Sequence, residues 1–165
     1  MFDFAPTHTA TPKPELYREL VSAALALTES EPDGVANMAN LAALMWTYLP
    51  DLNWAGFYRL APGAGELVLG PFIGKPACIR IPLGSGVCGT AAATAQSQCV
   101  ADVHAFPGHI ACDAASRSEL VVPVTAGDRV IAVIDLDSPR AGRFDADDTA
   151  GIEALACAIS TRIGT

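Results

Sequence analysis

Three cysteines set the chemistry this chain could perform. Cys78 follows Gly74-Lys75-Pro76, Cys88 lies within Gly86-Val-Cys-Gly89, and Cys112 falls in His109-Ile-Ala-Cys-Asp113 near the end of a long loop. Each sits beside glycine, proline or a loop, where a thiol can meet a partner, and access separates a working thiol from an inert one. Cys99, in an expected strand, and Cys157, on an expected helix of Ala and Ile, read instead as small buried hydrophobes. For the first three, three readings stand side by side: core filler, a metal site completed by His104 or His109, or a redox pair in which one sulfur attacks and another resolves. Zinc ligands usually come in close pairs such as C-x₂₋₄-C. The steps from 78 to 88 and from 88 to 112 are far longer, which weakens the metal reading. His109, three residues before Cys112, could lower that thiol's pKa, although a loop histidine ordinarily faces solvent.

Carboxylates add a second constellation. Glu119 opens one expected strand, and Asp135 and Asp137 close the next, after the wholly apolar run Val130-Ile-Ala-Val-Ile134. Residues two apart in a strand share a face. Two acids at the end of such a run either cap the turn before Pro139 or line a pocket. Close carboxylates cannot all ionise freely, so at least one pKa rises. An acid kept protonated near neutrality can donate a proton, and an ionised one can hold an ammonium. Trp54 and Tyr58, four apart on an earlier strand, also share a face. They serve either as core or as an aromatic wall for a small apolar group.

The elements that must position these groups follow from periodicity. From Pro14, Leu16, Leu20, Ala23/Ala24 and Leu27 recur at helical spacing, and Glu31-Pro-Asp-Gly34 stops that helix. Val35, Met38, Leu41/Ala42, Met45 and Leu49 mark a second helix, ended by Pro50. Residues 53–60 and 66–73 predict a hairpin around Pro62-Gly-Ala-Gly65, and 78–81 a short strand. Residues 87–95 predict a short Ala-rich helix and 98–101 a strand. The loop over 102–116 has no period of its own, and loops that long are usually functional. Residues 119–124 and 129–136 predict a second hairpin. Acids at 145, 147 and 148 then open a last helix, where they favour its dipole. The order implies an α+β single domain: a central antiparallel sheet with the N- and C-terminal helices packed on one face. Residues 1–13 read as a loose lead and 14–165 as the domain.

Composition excludes several classes. At 165 residues and 51% hydrophobic, the chain is about one domain and is not wholesale disordered. A net charge of −8 argues against a nucleic-acid binder, which needs basic patches for phosphates. No segment reads as a secretory signal or a membrane span. Five cysteines without a signal argue against a disulfide framework and for the cytoplasm.

At this point six segments in order resemble the free methionine-(R)-sulfoxide reductases, stand-alone enzymes of the GAF-domain type. They are Asn53-Trp-Ala-Gly-Phe-Tyr58, residues 69–78, Gly86-Val-Cys-Gly-Thr-Ala-Ala-Ala93, residues 100–113, Ser116-Arg-Ser-Glu119 and Ile134-Asp-Leu-Asp-Ser-Pro139. The resemblance runs from about Pro14 to the C-terminus and includes all three candidate cysteines. It implies a GAF-like fold and reduction of the R-sulfoxide of free methionine. Cys112 would be the attacking thiol and Cys78 its resolving partner, with Cys88 a third matching cysteine of undefined part in the relay. It further implies that Glu119, Asp135 and Asp137 engage the sulfoxide oxygen and the amino group, while Trp54 and Tyr58 flank the methyl sulfide. It calls for no metal and no organic cofactor, and it implies recycling by thioredoxin. Family members are often dimers, and the apolar N-terminal helices could pair. The rival expectation is a GAF sensory module that binds a small ligand without chemistry.

Overall fold

Alternation along three adjacent strands decides where the site lies. The computed structural model describes residues 11–63, 65–108 and 113–164. Among these, helix α1 spans Lys13–Leu27 and α2 Gly34–Tyr48, followed by strands β1 Trp54–Leu60, β2 Glu66–Gly74 and β3 Arg80–Pro82. Helix α3 covers Gly86–Thr94, then β4 Gln98–Val100, β5 Ser118–Ala126, β6 Arg129–Ser138 and α4 Ala146–Ile163. The described strands form a sheet in the order β3-β2-β1-β6-β5-β4, each neighbouring pair antiparallel. This is the α+β architecture expected. No described helix is long and apolar enough to cross a membrane.

Each face of the sheet has its own cluster. Ala55, Phe57, Leu120, Val122, Ile134 and Leu136 alternate onto the face covered by α1, α2 and α4. There they meet Leu20, Leu41, Met45, Ile152 and Ile159, the apolar stripes that give those helices their reason to dock. The intervening residues, Trp54, Tyr58, Val121 and Val133, turn to the other face, where α3 closes over them with Val87, Cys88 and Ala91. One layer of helices therefore carries most of the burial, and the opposite face is free to hold chemistry.

Helix ends are fixed by local hydrogen bonds. Asp33 caps α2, its side chain accepting from the Val35 and Ala36 amides at 2.8 and 2.9 Å. Asp145 and Asp148 form a reciprocal capping box on α4. Buried Asp148 also accepts from Tyr17 Oη at 2.8 Å, Lys13 Nζ at 2.6 Å and Arg143 Nη1 at 3.0 Å. Those bonds tie α1 to α4, so the two chain ends share one layer.

Three expectations need correction. Cys78 lies ahead of β3 rather than within it, because ladder pairing with β2 begins at Arg80. Cys99 is exposed, since β4 is the edge strand of the sheet. Cys157 is exposed because α4 buries Ile152, Leu155, Ala156 and Ile159 and presents position 157 to the other side.

Candidate active site

Antiparallel register assembles the acids from two strands. Trp54 on β1 pairs with Asp137 on β6, and Asp137 pairs on its other side with Glu119 on β5. One row along, Gly56 pairs with Asp135, and Asp135 with Val121. Residues 54, 56, 119, 135 and 137 thus share one face by alternation alone. Gly56 is required there by close approach. A Cβ on it would lie 2.4 Å from Phe72 Cβ, and Phe72 stacks on Trp54 at 5.1 Å between centroids. Trp54 in turn stacks on Tyr58 at 5.8 Å, which makes a three-ring wall.

Helix α3 supplies the opposite side. Gly89 sits so close to the end of β3 that a Cβ would lie 2.3 Å from the Pro82 carbonyl oxygen. That approach brings the first turn of α3 over the acids, and Cys88 Sγ stands 3.9 Å from Glu119 Oε1. The result is a cleft between α3 and the sheet, with a cavity volume of about 30 Å³. Trp54, Tyr58, Cys88, Glu119, Asp135 and Asp137 all line it. Every predicted site residue among those described, except Cys78, therefore reaches one cavity. Cys78 is half-buried directly after the lining residues Lys75, Pro76 and Ala77. Cys112 and His109 lie outside the described residues, and Asp113, the residue after Cys112, lines the cleft.

The electrostatics follow from burial. Glu119 and Asp135 are each 6% exposed. Burial pushes the Asp135 carboxyl up to about 7, partly offset by a hydrogen bond with the Cys88 thiol. Burial, then the neighbouring Asp135 and Asp137 charges, holds Glu119 well above the usual carboxylate range. Asp137 is raised in the same way, by burial first and Asp135 second, against a lowering bond with Ser116. Cys88 is raised by burial and by the Asp135 and Glu119 charges, so its thiol stays neutral. Among the described residues, the buried Asp135 Oδ1 has no hydrogen-bond partner, which leaves an acceptor open toward the cleft. Such a cluster can receive a cationic group on its ionised members and donate a proton from a neutral one.

Of metal-compatible sets among the described residues, Cys88, Glu119 and Asp135 place one donor atom each within 4.8 Å of one another. His104, the expected alternative ligand, is exposed on a short 3₁₀ turn at Val103–Ala105 instead. Four residues around the cleft carried no expected role: Asn53, Lys75, Asp113 and Ser116. Asn53 Nδ2 donates to Asp113 Oδ2 at 3.2 Å and to Ser116 Oγ at 3.0 Å. Lys75 Nζ donates to Asp113 Oδ1 at 3.1 Å. Asp113 standing next to Cys112 was the one signal in the sequence that could have drawn attention to them.

The sequence profile of the GAF domain matches residues 36–163. The free methionine-R-sulfoxide reductase of Escherichia coli (strain K12) is 48% identical over 153 residues, 93% of this chain and 92% of that protein. The crystal structure of free methionine-R-sulfoxide reductase from Neisseria meningitidis in complex with its substrate is 42% identical. It superposes with a TM-score of 0.91 over 98% of this chain and 96% of its own. The reduced form of the Staphylococcus aureus protein is 47% identical with a TM-score of 0.85, covering 90% and 95%.

Proposed function

Since this chain belongs to the free methionine-R-sulfoxide reductases, built on the GAF domain, and reduces the (R)-sulfoxide of free methionine, we propose the route by which its residues do so. The Cys112 thiolate attacks the sulfoxide sulfur. The sulfoxide oxygen is a poor leaving group unless protonated, and the neutral member of the Glu119–Asp135–Asp137 cluster supplies that proton, a role usually contributing ~10²–10⁴-fold. The hydroxyl passes to the Cys112 sulfur as the transient bond between the two sulfurs breaks, so methionine leaves and Cys112 holds the oxygen as a sulfenic acid. Cys78 condenses with it, releasing water and forming a disulfide, which a dithiol reductant of the thioredoxin class reopens by exchange. Cys88 stays a neutral thiol beside the acids. The ionised acids receive the substrate's ammonium, and Trp54 and Tyr58 take its methyl sulfide end. Peptide-linked methionine lacks that ammonium and is refused.

The observation that carries this reading is the buried triad of carboxyls facing the cleft, in which Asp135 Oδ1 has no hydrogen-bond partner among the described residues. Residues 14–165 act as one unit in the cytoplasm. Two copies pair through the N-terminal helices, whose outer surface exposes Leu25, Val35 and Trp46. The test is a thiol count with single-turnover chemistry. Addition of free methionine-(R)-sulfoxide removes two thiols per chain, Cys112→Ser abolishes methionine formation, and Cys78→Ser stops after one methionine per chain. Steady-state reduction by Cys112→Ser would overturn the assignment, and an unchanged thiol count would restore the sensory-module reading.

A further inference from the structure

Among the described residues, five large hydrophobic side chains are exposed: Leu25, Val35, Trp46, Ile79 and Leu83. The first three belong to α1 and α2. The other two bracket β3, Ile79 directly before it and Leu83 directly after it. Ile79 is 70% exposed, the highest of the five. A single exposed aliphatic residue needs no explanation, whereas several together with a charged rim mark an interaction site. Between the two, Ile81 is buried and lines the cleft. At about 3.3 Å per residue the pair spans roughly 13 Å along the strand, which one loop of a partner can cover. Cys78 immediately precedes Ile79 and is half-buried. A reductant that reopens a disulfide at Cys78 must bring its own sulfur to that bond, so it has to seat on the neighbouring surface.

That surface is preformed and has its own charge. β3 is an edge strand. The Leu69 amide donates to the Ile79 carbonyl oxygen at 2.9 Å, and the Leu83 amide to the Gly65 carbonyl oxygen at 3.1 Å. Arg80 pairs with Glu66 across β3 and β2. Docking on a segment already held in this way loses little to ordering. The chain carries a net charge of −8, yet the cations dominate here. Lys75 is 68% exposed against 10% for its partner Asp113, and Arg80 55% against 27% for Glu66. An approaching protein therefore meets apolar side chains beside positive charge, which carboxylates on its own rim complement.

We propose that Ile79 and Leu83, with Arg80 between them, form the docking surface for the protein dithiol that recycles the enzyme. The partner it fits has an apolar face with an acidic rim around its reactive cysteine. The seated thiolate attacks Cys78 Sγ. A mixed disulfide forms, the bond between Cys78 and Cys112 breaks, and Cys112 leaves as a thiolate. The reductant's second thiolate then attacks the reductant sulfur of the mixed disulfide and releases Cys78. The reductant ends as a disulfide and the enzyme gains two electrons. The proposal rests on the relay argued above and adds the face on which that relay is reset.

The test compares a protein reductant with a small one. Full-length protein is assayed with reduced bacterial thioredoxin, regenerated by thioredoxin reductase and NADPH, and separately with dithiothreitol. In Ile79→Ser/Leu83→Ser, kcat/KM for thioredoxin falls about tenfold, the scale of one central apolar contact. Recycling by dithiothreitol stays within about twofold of the parent. Arg80→Gln lowers kcat/KM for thioredoxin about threefold and flattens its dependence on ionic strength. A thioredoxin lacking its second cysteine is trapped on Cys78, as peptide mapping reads. An unchanged kcat/KM in the double variant, equal slowing with dithiothreitol, or trapping on Cys112 overturns the docking surface while the relay stands. A parent recycled by dithiothreitol and not by thioredoxin overturns the partner and the surface together. A second turnover in Cys78→Ser overturns the relay, and the proposal with it. Ile79→Ser alone alters a largely exposed side chain and carries the same test should the double variant not fold.

Discussion

Glu119 on β5 stands directly opposite Asp137 on β6, with both side chains on the face that forms the cleft. Like charges in that relationship are destabilising, and Asp135 adds a third acid one row away. Function accounts for keeping them, since the same repulsion that strains the fold leaves a proton available near neutrality.

The strain has a sign that can be measured. Asp135 has its carboxyl pushed up to about 7 from an ordinary 3.8, chiefly by burial. Between those values the folded state binds more protons than the unfolded, so stability is lost as pH rises toward and through the folded value. Asp135→Asn, which cannot ionise, is expected to melt several °C above the parent at about pH 8 and to lose that advantage by about pH 4. Thermal unfolding across pH reads this directly. A variant less stable than the parent at the alkaline end would contradict the electrostatic account.

The same proton sets the rate. The donor is competent only while the cluster holds a proton, so the methionine burst should have a descending limb as pH rises past about 7. Because the acids interact, the apparent pKa belongs to the cluster and not to one residue. The Asp135 charge helps hold both Glu119 and Asp137 up, so Asp135→Asn and Asp135→Ala should each shift the limb to lower pH. Stopped-flow profiles of the three proteins test this, and a limb that stays fixed in both variants would rule out charge coupling.

Much of this arrangement was legible beforehand, and the reasons are specific. Asp135 and Asp137 share one face in the sequence because strand alternation is local, and the wholly apolar run before them marks a buried strand while leaving open whether the acids cap a turn or line a pocket. Register was not local. Nothing in the order of residues states that Glu119 lies opposite Asp137, which depends on the Arg129–Ala126 turn and the irregularity between Val124 and Thr125. Cys99 and Cys157 depart from expectation because an apolar neighbourhood in sequence does not ensure burial: an edge strand and the outer side of a helix expose such residues equally. The sequence gives no sign of the parts played by Asn53, Lys75 and Asp113, because those parts lie in contacts between distant segments.

The ring wall predicts a split between affinity and stability. Trp54 stacks on Phe72 and Tyr58 and also bonds the Lys75 carbonyl oxygen. Trp54→Phe keeps a ring against both neighbours and loses the indole N–H. Trp54→Ala opens the wall and costs about 3–5 kcal/mol of folding stability. KM for the free sulfoxide should rise about tenfold or more in Trp54→Ala, the value of about 1.4 kcal/mol of lost contact, and much less in Trp54→Phe. Steady-state kinetics beside thermal unfolding separate the two effects. An unchanged KM in a folded Trp54→Ala protein would remove the ring from the substrate site.

Thiol reactivity supplies the remaining check on the cleft. Cys88 is buried on the first turn of α3, and burial together with Asp135 and Glu119 keeps it protonated. The thiolate is the reactive form, so Cys88 should resist alkylation in the native protein. Cys99 and Cys157 are exposed and should label ahead of it. Timed alkylation with iodoacetamide at neutral pH, followed by peptide mapping, gives the order. Cys88 should label only after denaturant is added, and in the native Asp135→Asn protein, where one of the charges raising its pKa is gone, its labelling should quicken. Early native labelling of Cys88 in the parent would show that the thiol is ionised and open to solvent, and would move it from bystander to nucleophile.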